Sequence, residues 1–261
     1  MFLKSFLRRR KKILRGLLAT RFRGQTQPYA AESWWDEGFY TDGVSDRQTI
    51  GPAKNAHTAA YHYASVELLI LRQLCRLEWN ATGTEVCDFG SGSGHWIDFY
   101  LRLGAARCAG IDISTKACEF LRRRFAAHPG VTIHQHTPRG LLTGSAGTFH
   151  LVNAIGFMFH LVDDAEWAAT VAAAGCALKP GGLFIVSGHF GWLNHVNVQV
   201  GRDGLVNKRL RSHACWRRTL RQAGLEEVGF HRNPAYLFIR DSLPENNLLV
   251  ARKPSSAAKP R

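Results

Sequence analysis

Two acids and a glycine-rich loop carry the most specific chemistry in this sequence. Asp88, Gly90, Ser91, Gly92 and Gly94 lie in the run Glu85-Val-Cys-Asp-Phe-Gly-Ser-Gly-Ser-Gly94. Glycines admit positive φ and leave no Cβ between the backbone and a ligand. An acid just ahead of such a loop can tie down its N–H groups and, through a water, a ligand ammonium. A second acid, Asp112, ends the run Gly110-Ile-Asp112 and stands 20 residues beyond Gly92. A carboxylate there suits a ribose diol, held by two charge-assisted hydrogen bonds. Alone, Asp112 reads equally well as a cap for the helix that follows. The spacing Asp-x-Gly-x-Gly-x-Gly differs from the dinucleotide pattern Gly-x-Gly-x-x-Gly, which disfavours an oxidoreductase.

Other residues are candidates on weaker grounds. His160, in Phe157-Met-Phe-His160-Leu, is either a general base on a hydroxyl or a histidine packed beneath a turn. His189 follows a strand-like run and is a second candidate for an acceptor pocket. Tyr61, His62, Tyr63 and Glu67 open a helix; three aromatic rings there are either a ligand-covering face or simply core. His134 and His136 share a strand face, but no carboxylate cluster accompanies them, so no metal is expected. Trp34, Trp35, Phe39 and Tyr40 either form a lid that excludes water or cover the sheet. Arg202 to Arg221 holds seven Lys/Arg and one Asp. That stretch reads as a solvated helix face or as a grip on an anionic substrate or lipid head group.

The elements that must position these residues follow from periodicity. Tyr63, Val66, Ile70, Leu74 and Leu77 predict a helix over 56–78 with one buried face. Beyond it, short apolar runs alternate with helical ones. Strands are predicted near 84–89, 106–111, 131–135, 148–155, 182–188, 226–231 and 246–251, and helices near 94–103, 115–127, 164–178 and 208–223. Such alternation implies βαβ units around a mainly parallel sheet. Lys179-Pro-Gly-Gly182 stops a helix and feeds the apolar strand Leu183-Phe-Ile-Val-Ser187.

Taken in order, the glycine loop, Asp112, Phe149 to Asp163 and Leu178-Lys-Pro-Gly-Gly-Leu resemble the class I S-adenosylmethionine-dependent methyltransferase family. The resemblance covers roughly residues 60–250. It implies a Rossmann-like, seven-stranded, mostly parallel α/β sheet with helices on both faces, the final strand antiparallel, and a helical extension before it. It implies S-adenosylmethionine as cofactor, held by Asp88, Gly90, Ser91, Gly92, Gly94, Asp112, Ile113, Thr137, Asn153 and Tyr63. Two departures stand out. Relatives often carry an acid after the third strand for the adenine amino group, where this chain has His134-Gln-His-Thr-Pro138, with Thr137 or His136 as substitutes. Relatives also often have Phe-Asp where this chain has Phe149-His150. Asn153-Ala-Ile-Gly lacks the Asn/Asp-Pro-Pro-aromatic turn of enzymes that methylate amino groups of DNA and protein, and there is no Pro-Cys pair for attack on cytosine. The turn around His160 is similar to that of small-molecule methylases, so the expected acceptor is a small molecule, lipid-linked or a saccharide. An RNA methyltransferase and a cofactor-binding protein without transferase activity are the alternatives.

Charge bears on the RNA reading. The chain has 34 Lys/Arg and 20 Asp/Glu, for a net charge of +14. Nine of the basic residues lie in 1–31 and four in 252–261, with no acid in either, so the body between is almost neutral. That counts against nucleic acid as a partner. The arm 1–31 is amphipathic and basic, which suits an anionic membrane surface, an organelle transit peptide or a solvated tail. Residues 32–80 are expected to form a lid or substrate region, 81–251 the cofactor-binding domain and 252–261 a disordered tail. Six cysteines without CxxC spacing read as reduced, pointing to the cytoplasm, peripheral to a membrane if the arm binds one.

Overall fold

In the computed structural model, nine strands are described: β1 (Glu85–Phe89), β2 (Arg107–Asp112), β3 (Val131–Gln135), β4 (Phe149–Ile155), β5 (Leu178–Gly188), β6 (Val196–Val200), β7 (Leu205–Leu210), β8 (Glu226–His231) and β9 (Asn247–Arg252). Residues 30–50, 55–143, 145–191, 193–200, 205–233 and 247–255 are described. Seven strands form one sheet of order β3-β2-β1-β4-β5-β9-β8. Strands β3, β2, β1, β4 and β5 are mutually parallel, and β9 runs antiparallel to both β5 and β8. This is the Rossmann-like architecture expected, with the chain's last strand reversed. Strand order turns back between β1 and β4, which opens a crevice at their carboxyl ends.

Both sheet faces are covered because the central strands are apolar on both sides. Val86, Leu151 and Ile185 face helix α1 (Ala56–Arg76), α2 (His95–Arg102) and α3 (Thr115–Arg124), which bury Ile70, Tyr100 and Leu121 against them. Cys87, Val152 and Phe184 face α4 (Asp164–Ala177) and α5 (His213–Gln222), through Val171, Ala174 and Leu220. Side-chain caps start most of these helices. Asn55 Oδ1 accepts from Thr58 N, Ser114 Oγ from Ala117 N, Asp163 Oδ1 from Glu166 N and Ser212 Oγ from Cys215 N.

Three expectations are corrected. The helix predicted over 208–223 begins only at His213; Leu205–Leu210 is a strand paired antiparallel with Val196–Val200. Val206, Asn207 and Leu210 are buried while Lys208 and Arg209 are half-buried, and pairing shifts register opposite them, so no regular alternation marks the strand in the sequence. Strand β5 starts at Leu178 and not near 182, the Pro-Gly-Gly turn being absorbed where pairing to β4 shifts register. Arg252 belongs to β9, and Lys253 N still donates to Gly182 O, so order continues past the predicted start of the tail. The arm 1–31 falls outside the described residues up to Tyr29.

Gly175 gives a test of the packing of α4 on α5. It lies inside α4 with ordinary helical backbone, yet a Cβ there would meet the carbonyl oxygen of Ala223 at 2.4 Å. Helix propensity alone favours Ala over Gly by about 1 kcal/mol. Close packing predicts the opposite sign: Gly175→Ala should destabilise by about 1–3 kcal/mol. Urea unfolding checks this, and a variant as stable as the parent would contradict the contact.

Candidate functional site

The loop after β1 is held from both sides. Gly90 N and Ser91 N donate to Ile111 O at 2.8 and 3.1 Å, and Ser91 Oγ donates to Asp88 O while accepting from Ile111 N. Gly92 N donates to Asp112 Oδ2 at 2.8 Å, and Ser114 N donates to Asp112 Oδ1 at 2.9 Å. Asp112 thus fastens the loop to the end of β2. Gly90 and Gly92 have φ of 69° and 52°. A Cβ at Gly90 would stand 2.5 Å from the Phe157 ring, and one at Gly92 2.8 Å from Thr49 Cγ2, so neither position admits a side chain.

Asp88 is buried where β1 meets β4. Its Oδ1 accepts from Asn153 Nδ2 at 2.6 Å, and Asn153 Oδ1 accepts from Tyr100 Oη at 3.2 Å. Its Oδ2 is buried with no hydrogen-bond partner among the described residues. Burial raises the Asp88 carboxyl to about 7, against the opposing hydrogen-bonding groups of Asn153 and Ser91. Burial also raises the Asp112 carboxyl, although the bonds from Ser114, Gly92 and Ile113 oppose it.

The aromatic segment ahead of α1 closes over this loop. Trp34–Phe39 is a π-helical turn, and Asp36 from it caps α3. Asp36 accepts from Ser114 Oγ, from Thr115 N at 3.1 Å and from Lys116 N at 3.3 Å. Lys116 Nζ in turn donates to Asp36 O at 2.6 Å and Tyr40 O at 3.2 Å. Tyr40 is buried, its hydroxyl 3.3 Å from where a Gly92 Cβ would be. Tyr63 donates its hydroxyl to Asp46 O and stacks on His95 at 3.7 Å, and His95 bridges Asp46 and Glu67. Sequence reasoning did not single out His95, Asp36 or Asp46; they gain meaning only from contacts across the fold.

On the other side of the crevice, His160 lies in a 3-10 turn, Met158–His160, after β4. Its Nδ1 sits 3.0 Å from Asn207 O, so Nδ1 carries the proton and Nε2 is the acceptor. Its ring lies 4.9 Å from Trp35 and 4.4 Å from Phe159. Burial, with Lys208 nearby, pushes the imidazole down to about 3. His189 lies 4.6 Å from the Phe159 ring. Ile113 follows directly on Asp112, and Thr137 stands two residues beyond Gln135, the β3 partner of Asp112. His150 accepts from Glu85 N at 3.0 Å beside the Lys179–Glu85 ion pair, at the opposite end of β4 from the crevice. Its departure from the family pattern is therefore structural.

Residues 86–182 match the family model described as a methyltransferase domain. The ubiquinone biosynthesis O-methyltransferase of Methylocella silvestris is 33% identical over 106 residues, 40% of this chain and 40% of that protein. The chain therefore spans less than half of that relative. The Burkholderia thailandensis 1,6-didemethyltoxoflavin-N1-methyltransferase, solved with S-adenosylhomocysteine, superposes with TM-score 0.59 at 18% identity, covering 88% of this chain and 93% of that one. The magnesium protoporphyrin IX methyltransferase of Synechocystis PCC 6803 superposes with TM-score 0.61 at 16% identity, covering 85% and 95%.

Two titrations follow from the burial of these groups. With Asp88 raised to about 7, the folded chain keeps a proton that the unfolded chain has released above about pH 4. Stability should therefore fall as pH rises toward 7. Relative to Asp88→Asn, the parent should lose about 1.4 kcal/mol per pH unit between pH 5 and 7, as read by urea unfolding; parallel curves would contradict the assignment. The His160 ring should stay neutral across the same range, with NMR ring shifts that do not move between pH 5 and 8.

Proposed function

We propose that this chain, a member of the class I S-adenosylmethionine-dependent methyltransferases through residues 86–182, transfers a methyl group from S-adenosylmethionine to a small-molecule acceptor. One observation carries the reading. Asp88 and Asp112 flank a single glycine loop at the reversal of strand order, and Asp88 Oδ2 is a buried acceptor without a hydrogen bond among the described residues. The family match agrees with it, and so does the small-molecule chemistry named for the M. silvestris relative.

The residues present fit the cofactor. Asp88 Oδ2 offers an acceptor for the methionine ammonium, directly or through a water, and a cation placed there would favour the ionised carboxylate. The two Asp112 oxygens accept backbone N–H groups from Gly92, Ser114 and Ile113 and keep lone-pair capacity for a ribose hydroxyl. Asn153, engaged by Asp88 and Tyr100, acts by holding Asp88 in place. Gly90, Ser91, Gly92 and Gly94 give the backbone its close approach, and Ile113 and Thr137 border the adenine. Tyr63, stacked on His95 and tied to Asp46, supports the covering segment. When bound, S-adenosylmethionine supplies a methyl group on a sulfonium, open to in-line displacement by a nucleophilic atom.

The chain's own contribution is placement and exclusion of water. Trp34 to Tyr40 form the lid, latched by Asp36 and Lys116. His160, expected as a base, is too weakly basic at about 3 to take up a proton that must be kept. It serves instead as a neutral acceptor through Nε2, aligning an acceptor hydroxyl or amine. Among the described residues no helix is long and apolar enough to cross a membrane. The basic arm is proposed to hold the enzyme at an anionic membrane surface.

Calorimetry with S-adenosylhomocysteine and NAD tests the cofactor. The first should bind and the second should not. Asp112→Ala should weaken S-adenosylhomocysteine by about 10–100-fold, the worth of charge-assisted hydrogen bonds; unchanged affinity would remove Asp112 from the ribose. Deleting residues 1–27 should leave that affinity intact while abolishing sedimentation with phosphatidylserine vesicles, and equal sedimentation would end the membrane proposal. Screening a metabolite extract for methylated product would then identify the acceptor.

A further inference from the structure

His95 is the first residue of α2 and follows Gly94 directly, at the end of the glycine loop. Both of its ring nitrogens meet carboxylates. Nδ1 lies 3.2 Å from Asp46 Oδ2, and Nε2 lies 2.8 Å from Glu67 Oε1. A neutral imidazole has one N–H and one lone pair, and a carboxylate only accepts. Whichever nitrogen held the proton, a neutral ring would turn a lone pair on one of the two acids. Only the imidazolium bonds both, so the bridge is complete while the ring carries its second proton and loses one bond as pH rises.

The bridged acids belong to separate elements. Asp46 opens the short helix Asp46–Thr49 ahead of α1, and Glu67 stands within α1. The ring lies on Tyr63 of α1 at 3.7 Å, and Tyr63 donates its hydroxyl to Asp46 O. Further along α2, Arg102 Nη2 donates to Glu67 Oε1 and Arg102 Nε to Asp98 Oδ2, both at 2.9 Å. From α3, Arg124 Nη1 donates to Ser93 O at 2.7 Å and stands 3.5 Å from Asp46 Oδ1. Burial would raise the Asp46 carboxyl, but the hydrogen-bonding groups of His95 and Ser93, with the charges of His95 and Arg124, hold it below the ordinary carboxylate range. The helix pinned in this way is the part of the covering segment that presses on the loop. Thr49 Cγ2 stands 2.8 Å from where a Gly92 Cβ would be. Gln48 Nε2 donates to Phe39 O at 2.7 Å, which carries the constraint on into Trp34 to Tyr40.

We propose that His95 is a positioning residue whose protonated ring fastens the covering segment to the glycine loop, so that the donor site is fully formed with the imidazolium and slackens when the ring is neutral. It acts through Asp46 and Gln48, not by touching the cofactor. A ligand that binds only the fastened arrangement gains affinity in proportion to the population of that arrangement. That the ligand is S-adenosylmethionine rests on the methyltransferase reading; that the ring fastens the segment does not.

Hydrogen exchange of the ligand-free full chain and calorimetry with S-adenosylhomocysteine test this at about pH 6 and about pH 8.5, on either side of the range in which imidazole titrates. The parent is compared with His95→Arg, which keeps a planar cation with donors for both acids at either pH, and with His95→Gln, which removes the charge. At the lower pH the amides of residues 46–49 should be as protected in the parent as in His95→Arg. At the higher pH the parent should lose at least about fivefold in protection against that variant, the lower end of ordinary coupling between sites. Affinity for S-adenosylhomocysteine should fall by a similar factor against His95→Arg, and His95→Gln should bind weakly at both. Referring the parent to a variant at the same pH cancels the titration of Asp88 and of the ligand's own ammonium, which all three chains share. If His95→Arg fails to fold, His95→Gln is the reference, and the parent's advantage over it should shrink by the same factor as pH rises. A ratio that stays flat with pH in either measurement overturns the inference. Exchange that responds to pH in a chain that binds no S-adenosylhomocysteine at either pH would instead sink the methyltransferase reading and leave the fastening in place.

Discussion

The hydrogen bond from Asn153 Nδ2 to Asp88 Oδ1, 2.6 Å long and wholly buried, joins β4 to β1 at the point where strand order reverses. A carboxyl group so placed is costly to ionise, and burial raises it to about 7. Asn153 satisfies one of its oxygens, and the other has no geometric hydrogen bond among the described residues although the Ser91 hydroxyl lies near the carboxyl. A fold that needed only stability would fill this position with an apolar side chain, as the neighbouring Cys87 and Val152 do. The retained half-satisfied acid is the clearest sign that the carboxyl edge is built to receive a polar ligand.

From that point the covering segment is fixed by electrostatics more than by apolar burial. Asp36 meets the free N–H groups at the start of α3, where a helix presents partial positive charge. Lys116 closes the loop by binding carbonyls of the same segment. The short connection from β2 to α3 therefore joins Asp112 to the residues that anchor the covering segment, and Trp35 brings His160 into the same assembly.

Legibility in the sequence divides along the same line. Asp88, the glycines and Asp112 are readable because backbone geometry and fixed spacing set their roles, and the βαβ alternation that carries them is strongly periodic. The sequence places the end of β7 in the following helix, because Lys208, Arg209 and Arg211 break any apolar alternation there and pairing shifts register. Arg211 was read with a solvated face, whereas it is among the most buried side chains of the chain. Nothing local signals this, since its partner Asp164 lies 47 residues earlier on another element. Tyr63 was legible as buried, but its stacking on His95 depends on how α1 crosses the start of α2.

The donor half of the crevice is thus made largely of backbone and short side chains, and the acceptor half of long ones. Gly92 N and Ser114 N can hold Asp112 in one way only, which suits a ligand that never changes. Arg209 and Arg211 are positioned by the shared Asp164 carboxylate, and Arg211 also by the Trp167 ring, so each depends on contacts between distant elements. His160 lies between the halves, its Nδ1 committed to Asn207 on β7 and its ring packed against Phe159. Asn207 and Arg209 sit on one strand, so one short hairpin fixes both the proton on His160 Nδ1 and the ion pair with Asp164, while the sheet beneath holds Asp88 and Asp112 in place.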